Sequence, residues 1–245
     1  MVVQPRGDVF RCFTQDAHAS LSGEAAARWS TAARPFVSPR LAAAIRHHDI
    51  GWLAADAAPA FDPSRGRPFD FQTLPVEERV AIYTAGIDTL EALDPLAGLL
   101  ASLHFSGFVD HQRFAAFHAR EEARRAALGA AIAGDAEAVE DTAAYGLLQQ
   151  LDLLSLVVCL AQPGSTPADH PRWLRHSLVV DGTRHEVDLA DAWSVVVRPF
   201  PFAAPFGAAV AYRDLRREAC ATAQSMLDAW DAAPQEVGEF RFGPV

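Results

Sequence analysis

The segment that most constrains this chain is residues 41–52, with the sequence LAAAIRHHDIGW. It starts as an apolar helical run, carries two adjacent histidines and an aspartate, and is stopped by Gly51. Imidazole nitrogens and carboxylate oxygens are the ligand types that suit Zn, Fe, Ni and Mn. Because neighbouring side chains on a helix lie about 100° apart, His48 and Asp49 can both reach one ion from a helix end. The segment therefore predicts part of a metal site.

Length and charge narrow the class of protein. The 245 residues are enough for a large core, as one domain or as a domain with an appendage. The formal net charge of −10 argues against a nucleic-acid-binding protein, because such proteins bind phosphates through clustered Lys and Arg. Cys12, Cys159 and Cys220 lie far apart with no CxxC spacing, so neither a disulfide framework nor a thiolate zinc site is expected.

The chain has no sequence signal for export or for a membrane span. The starting residues MVVQPRGDVF lack the long apolar core of a signal peptide. The apolar stretches 96–103 and 153–161 are too short to cross a bilayer. We therefore expect a cytoplasmic protein with neither a membrane nor a nucleic acid as partner.

The pattern of apolar residues changes once along the chain. Up to residue 164 it favours helices, although residues 2–13 are predicted as a short strand or an irregular segment. Residues 54–71 are predicted as a long aromatic loop that folds over the site formed by the histidine helix. After residue 164, β-rich runs flank a turn at Asp181–Gly182, and one helix follows. The predicted fold is therefore mainly α: a helical domain over residues 1–164, then a small C-terminal antiparallel sheet with one helix over residues 165–245, packed on it.

Asp152 is the second residue that indicates chemistry. It lies in LLQQLDLLSLVV, surrounded by leucines on a helix that is apolar almost all round. An ionised carboxylate without a partner there would cost several kcal/mol, so it needs a metal, a cation or hydrogen-bond donors. The simpler alternative is a carboxylate that caps a neighbouring helix or pairs with an arginine.

Three histidines each have an ordinary explanation when taken alone. His18 shares the apolar face of the helix predicted over residues 15–30, and His104 stands near the end of the apolar run LLASLHFSGF. Either could be a core residue bonded to a carbonyl group. His47 points about 100° away from His48, which places it at the substrate side of a site or in solvent.

Together these residues make a more specific pattern. His18, His48–Asp49, His104 and Asp152 fall on four separate predicted helices. Helices that pack side by side can bring such residues together into a carboxylate–imidazole metal site. A single metal site explains why these residues occur in this order better than four unrelated structural roles do. The sequence therefore predicts one or two divalent transition-metal ions (Mn, Fe, Ni or Zn, with Mg as an alternative).

The arrangement resembles the HD superfamily of metal-dependent phosphohydrolases, whose pattern is His, then His-Asp, then a distant Asp on a bundle of helices. The stretch HHDIG is similar to HHDIGK of the branch that hydrolyses cyclic dinucleotides. QDAHASLSGEAAARW, HHDIGW, SLHFSGF and WSVVVRPFPF together resemble a bacterial family of HD-like proteins without an assigned function. The resemblance implies an HD-like helical bundle over the first part of the chain.

Carried over by position, the resemblance implies that His18, His48, Asp49 and Asp152 are metal ligands and that Asp49 is the candidate to bridge two metals. His104 falls where branches with two metals place a further ligand. Three departures argue against cyclic-dinucleotide hydrolysis. The lysine after HDIG is Trp52 here, and neither a GYP motif nor a second pair of adjacent histidines is present.

The activity that the resemblance implies is hydrolysis of a phosphoester in a small-molecule or nucleotide-like substrate by a metal-activated water. Besides the ligands, His47 and Glu24 are candidates for a catalytic role. The residues expected to bind substrate are Trp52, Arg46, Arg65 and Arg67. Asp56, Asp62 and Asp70 lie in the same loop as Arg65 and Arg67, so internal pairing of these two arginines is the favoured alternative.

Two other functions stay open. One is a di-iron oxygenase that acts on a small organic substrate, favoured by Trp52 and Phe105 beside the motif and by the scarcity of cations there. The other is a non-catalytic HD-like binding module, against which the complete ligand set argues. The C-terminal aromatic residues are most simply core, or else they wall a substrate pocket or form a homodimer face: Trp193, Phe200, Phe202 and Phe206.

Overall fold

The structure, a computed structural model, describes residues 1–134 and 141–244. It is an α/β fold whose centre is a curled, mixed sheet of seven strands. The strands of this sheet are β1 (Val2–Arg6), β2 (Val9–Phe13), β5 (Ser177–Val180), β6 (Thr183–Leu189), β7 (Ser194–Arg198), β8 (Phe206–Arg216) and β9 (Glu236–Gly243). Their order is β1-β2-β8-β9-β7-β6-β5, and β7 and β9 run parallel while the other neighbours are antiparallel. Strands β3 (Phe61–Asp62) and β4 (Arg67–Pro68) form a separate small ribbon.

The helices precede most of the sheet in the chain. They are α1 (Gln15–Arg28), α2 (Pro39–Arg46), α3 (Leu53–Ala57), α4 (Val76–Leu93), α5 (Pro95–Ser106), α6 (Ala115–Ile132), α7 (Asp141–Leu160) and α8 (Ala223–Ala232). Side chains that accept backbone N–H groups define several starts: Thr14 for α1, Ser38 for α2 and Asp94 for α5. Helices α1 and α5 carry candidate ligands, and α2 leads into the turn that holds His48 and Asp49.

The predicted fold class, a mainly helical bundle with a small C-terminal sheet, is wrong. The sheet takes strands from both ends of the chain: β1 and β2 form a hairpin through Gly7, and β2 pairs with β8. The pairing of Phe10 with Leu215 joins residues about two hundred positions apart. Sequence periodicity reports local structure only, so it could not reveal that residues 2–13 extend a sheet built mainly from the C-terminal residues.

The hairpin predicted at Asp181–Gly182 is confirmed. Strands β5 and β6 pair antiparallel across it, with Val180 opposite Thr183. Both turn residues have positive φ (49° and 77°), as the two-residue turn that matches strand twist requires. This hairpin forms the edge of the sheet that packs against α7.

Helix α7 lies at the centre of the molecule, where it packs against α1, α2, α5, β1 and β5. Leu148, Leu151 and Val157 are fully buried, as the apolar pattern predicted. Among the described residues, the window Ala143–Leu160 of this helix is the one long and apolar enough to cross a membrane, and 61% of it is buried within the protein. Core helices also pass such a test of length and composition, so the finding is weak support for a membrane span.

The turn after α2 is held by a close approach of two glycines. Residues Ile50–Trp52 form a short 3-10 helix that packs against α4, where Gly51 faces Gly86. A Cβ atom on Gly51 would lie 2.9 Å from the Cα of Gly86, closer than real contacts allow. The absence of a side chain at residue 51 therefore sets the position of the residues just before it.

Candidate metal centre

The five predicted ligands converge at one buried place in the structure. His18 comes from α1, His104 from α5 and Asp152 from α7. His48 and Asp49 lie in the turn that follows α2, which ends at Arg46, so the prediction that the helix stopped by Gly51 carries both histidines and the aspartate is wrong. All the described ligand side chains are buried or nearly so, with Asp152 the most exposed at 13%. Chain segments far apart in the sequence thus supply one cluster of imidazoles and carboxylates.

His48 stands at the middle of this cluster. Its Nε2 lies 3.5 Å from Asp49 Oδ2 and 3.4 Å from Asp152 Oδ1, and it has no hydrogen-bond partner. Its ring is 5.6 Å from that of His18 and 5.2 Å from that of His104. A buried ring nitrogen without a partner is costly unless a ligand satisfies it.

The other nitrogen of His48 determines what Nε2 can do. Nδ1 lies 2.7 Å from the carbonyl oxygen of Ile45, and a carbonyl can only accept a hydrogen bond. Nδ1 therefore carries the proton, and in the neutral imidazole Nε2 is left with a lone pair directed at the two carboxylates. This is the arrangement by which proteins orient histidine ligands of metals.

His18 is oriented in a comparable way by a hydroxyl group. Its Nδ1 lies 2.7 Å from Ser155 Oγ, and its Nε2 lies 2.7 Å from Asp49 Oδ2. The Ser155 hydroxyl donates to the backbone oxygen of Asp152 at 2.8 Å, which leaves its oxygen to accept from Nδ1. Ser22 donates to Ser155 as well, at 3.0 Å. With Nδ1 as the donor to Ser155, Nε2 faces Asp49 Oδ2, so one metal ion could bind both of these atoms.

The spacing of these atoms fits a metal ion. His18, His48 and Asp49 offer atoms that all lie within 4.8 Å of one another, and so do His48, His104 and Asp152. Ligands about 2.0–2.2 Å from one ion are about 3.0–3.5 Å apart at tetrahedral or octahedral angles, which covers the separations around His48 Nε2. The two groups share His48, whereas the sequence pointed to Asp49 as the shared residue.

The charges of the cluster depend on one another. Burial lowers the pKa of His48, but the carboxylates of Asp49 and Asp152 outweigh that effect and raise the pKa to about 9. Burial disfavours the charged form of Asp152, yet the imidazoles of His48 and His104 lower its pKa to about 2. Burial also lowers the pKa of His104 to about 4, so this imidazole is neutral at pH 7 and available as a ligand.

A cavity of about 500 Å³ opens beside the cluster. Its walls include His18, Asp49, His104 and Asp152, so four of the five candidate ligands face this space. The rest of the lining is aromatic or polar: Gln15, Trp52, Phe71, Gln72, Arg79, Tyr83, Phe105, Phe108, Gln149, Gln150, Trp173 and Arg175, with Leu153 and Leu156. Its volume is that of a pocket for a small organic molecule.

Of the residues predicted to bind substrate, Trp52 lines the cavity. The centre of its ring lies 6.1 Å from the centre of the Tyr83 ring. Arg65 and Arg67 pair with Asp62 and Asp70, the alternative favoured from the sequence. The predicted aromatic loop does reach the cavity through Phe71, its last residue, and the adjacent Gln72 also lines the cavity.

The remaining predicted residues lie elsewhere. Glu24 pairs with Arg28, and both Glu24 and Arg46 line a separate groove beside β8. His47 caps the C-terminus of α2. The described lining of the cavity beside the candidate metal ligands includes none of these three.

Several polar residues of the site were missed from the sequence. Gln15 donates to Asp49 Oδ2 at 3.1 Å, and it lies three residues before His18. Ser155 lies three residues after Asp152 and Ser22 four residues after His18. Side chains three or four apart share a helix face, so this spacing was a usable signal. Trp173 and Arg175 lie in a turn with no motif, so no comparable signal was present.

A family model described as a protein of unknown function (DUF3891) matches residues 1–217. No curated protein and no solved structure matches the chain. The match covers the β1–β2 hairpin, all five candidate ligands and the sheet as far as β8. The chain therefore belongs to this family. The resemblance to the HD superfamily is not tested by these comparisons and stays a prediction.

Proposed function

We propose that this member of the family is a metal-dependent hydrolase of phosphoesters in small organic molecules. The observation that carries the proposal is the convergence of three imidazoles and two carboxylates, four of which (all but His48) line a cavity large enough for such a molecule. The unpartnered Nε2 of His48 between two carboxylates fits a divalent ion there. His18, His48, Asp49, His104 and Asp152 would hold one or two such ions.

A divalent ion bound by these residues would lower the pKa of a bound water and polarise a phosphoryl oxygen. The chain itself supplies the orientation of the ligands. Gln15 and His18 both contact Asp49 Oδ2 and fix the direction of that carboxylate. Ile45 and Ser155 hold the protons of His48 and His18 away from the cavity. The side chains therefore need little rearrangement when the substrate binds.

Tyr83 adds a hydrogen-bond donor to the cavity. Burial raises the pKa of its phenol to about 12, although the neighbouring Arg79 acts in the opposite direction. The hydroxyl group is therefore protonated at neutral pH, and it can donate to an anionic oxygen of the substrate. The ring is fixed by stacking on Phe105, with the ring centres 4.4 Å apart.

The di-iron oxygenase is the second candidate, and the aromatic wall of Trp52, Tyr83 and Phe105 is the observation in its favour. The scarcity of cations near the motif also pointed to it from the sequence. The structure weakens that argument, because Arg79 and Arg175 line the same cavity. A phosphoester needs such cations, whereas a neutral organic substrate does not.

The test is hydrolysis of 4-nitrophenyl phosphate and bis(4-nitrophenyl) phosphate by protein reconstituted with Mn²⁺. We expect release of nitrophenol that stops with chelator and is lost in Asp49→Ala. Glu24→Gln is the matched control, because it changes a carboxylate on the surface away from the cavity. Iron in the purified protein, with no hydrolysis of either ester under any metal, would instead favour the oxygenase.

A further inference from the structure

Two arginines of the cavity, Arg79 and Arg175, form no ion pair with a carboxylate of the described residues. Most arginines of this chain form ion pairs, such as Arg65 with Asp62 and Arg124 with Glu91. Arg79 and Arg175 form none with any residue in the described parts of the chain. Both line the cavity that holds the candidate metal ligands. Two cations left unpaired on one cavity wall indicate a negatively charged ligand.

The position of Arg79 does not favour the stability of the fold. It lies near the N-terminus of α4, where the helix dipole makes a positive charge unfavourable. Glu77 of the same turn pairs with Arg113 instead. The Nε of Arg79 is buried without a hydrogen-bond partner, which costs free energy until a ligand supplies one. Its neighbour Tyr83 is a neutral phenol and gives no charge compensation.

The same cavity presents aromatic surface. Trp173 and Phe71 meet edge to face with ring centres 5.8 Å apart, and each is only partly buried. Phe108, on the lining as well, is 53% exposed and lies 4.8 Å from the His104 ring. The volume of about 500 Å³ is much larger than an inorganic anion needs. Partly exposed rings around a cavity of this size fit a planar, apolar part of a ligand.

We propose that Arg79 and Arg175 bind the anionic group of a small organic substrate whose planar ring packs against Trp173 and Phe71. That the ligand is a substrate rests on the proposed function, since the metal ligands line the same cavity. The substrate class is then an aryl or heterocyclic phosphate, not inorganic phosphate or a neutral aromatic compound.

The first experiment uses phenylphosphonate, which cannot be hydrolysed, and calorimetric titration of the metal-free full chain. We expect binding, at least tenfold weaker binding of methylphosphonate, and no measurable binding of benzyl alcohol. Equal affinity for the phenyl and methyl compounds would overturn the role of the aromatic wall. Binding of benzyl alcohol as tight as that of phenylphosphonate would overturn the role of the arginines.

The second experiment tests the residues. Arg79→Met and Arg175→Met should each weaken phenylphosphonate binding at least tenfold, which is about 1.4 kcal/mol. Metal content should stay that of the wild type. Arg172→Met is the matched control, since Arg172 is exposed three residues before Arg175 and does not line the cavity. Arg175 is itself exposed, so its variant folds even if Arg79→Met does not.

The two proposals can fail separately. If both arginine variants bind phenylphosphonate as well as the wild type, the inference about the substrate is wrong, whatever the hydrolysis assay shows. If phenylphosphonate binding depends on the arginines but no ester is hydrolysed with any metal, the anion site holds and the hydrolase proposal fails.

Discussion

His18 Nδ1 and Ser155 Oγ lie 2.7 Å apart, and this hydrogen bond directs the other nitrogen of His18 at Asp49. Ser155 therefore orients the ring of His18 through Nδ1, as the carbonyl of Ile45 orients the ring of His48. Groups behind a metal ligand that fix its tautomer typically change metal affinity by about 10–100-fold when removed.

Ser155→Ala should therefore weaken Mn²⁺ binding by about 10–100-fold while the fold is kept. The measurement is competition with a chelator of known affinity. Ser20→Ala is the control, because the hydroxyl of Ser20 donates to the backbone oxygen of Asp16 in its own helix. Equal affinity of the two variants would mean that Ser155 does not orient His18.

Asp152→Asn should lose most of its metal, whereas Glu24→Gln should keep it. The amide of the variant is neutral and a weaker ligand, and it no longer balances the imidazole of His48. Glu24 is paired with Arg28 outside the cavity. Metal analysis of both variants after dialysis is the measurement, and equal occupancy would contradict the ligand assignment.

Metal affinity should rise with pH. The pKa of His48 is raised from 6.5 to about 9 by Asp49 and Asp152 despite burial, so at pH 7 the metal must displace a proton from it. Loss of one proton makes affinity about tenfold higher per pH unit from pH 7 until about pH 9, where it levels off. Chelator competition at pH 7, 8 and 9 checks this, and a flat profile would contradict the charge state of His48.

The same pKa sets the pH dependence of stability without metal. Because the folded-state pKa of His48 lies above the unfolded value, its stabilising contribution is complete below pH 6.5 and is lost as the pH rises through about 9. Thermal unfolding of the metal-free protein should therefore occur at lower temperature at pH 9 than at pH 6.5. Asp152→Asn should flatten this dependence, since one of the two carboxylates that hold the proton is gone.

Gly51→Ala should destabilise the protein and disturb the metal centre together. The added methyl group would clash with Gly86 of α4 and push away the turn that carries His48 and Asp49. Overpacking of this kind costs about 1–3 kcal/mol, a drop in Tm of several degrees. Gly129→Ala is the control, because nothing lies within 4 Å of its added Cβ and alanine favours a helix. A Gly51→Ala protein with the Tm and metal content of the wild type would contradict this account.

The candidate ligands were predictable because each carries a local signal. Asp152 is a carboxylate in an apolar helix, and His48–Asp49 ends another apolar run. Their meeting in space follows from the packing of α1, α2, α5 and α7 on one another, which the apolar faces of those helices favour. The order of ligands along the chain was therefore enough to indicate one site.

The sheet and the anion-binding side of the cavity were not predictable in the same way. Pairing of β2 with β8, and the placing of Arg175 beside Arg79, depend on contacts between segments far apart in sequence. The arginines chosen from the sequence, Arg65 and Arg67, were neighbours of the motif along the chain, and the structure pairs both with aspartates of their own loop. Closeness to the histidine motif along the chain therefore did not identify the arginines that line the cavity.

The most direct test of the central claim compares two neighbouring histidines. Metal content would be measured by elemental analysis for the wild type, His48→Ala and His47→Ala, as purified and after reconstitution. One or two equivalents of a transition metal in the wild type and in His47→Ala, lost in His48→Ala, is the result we predict. No metal in the wild type after reconstitution, or equal content in both variants, would contradict the metal centre.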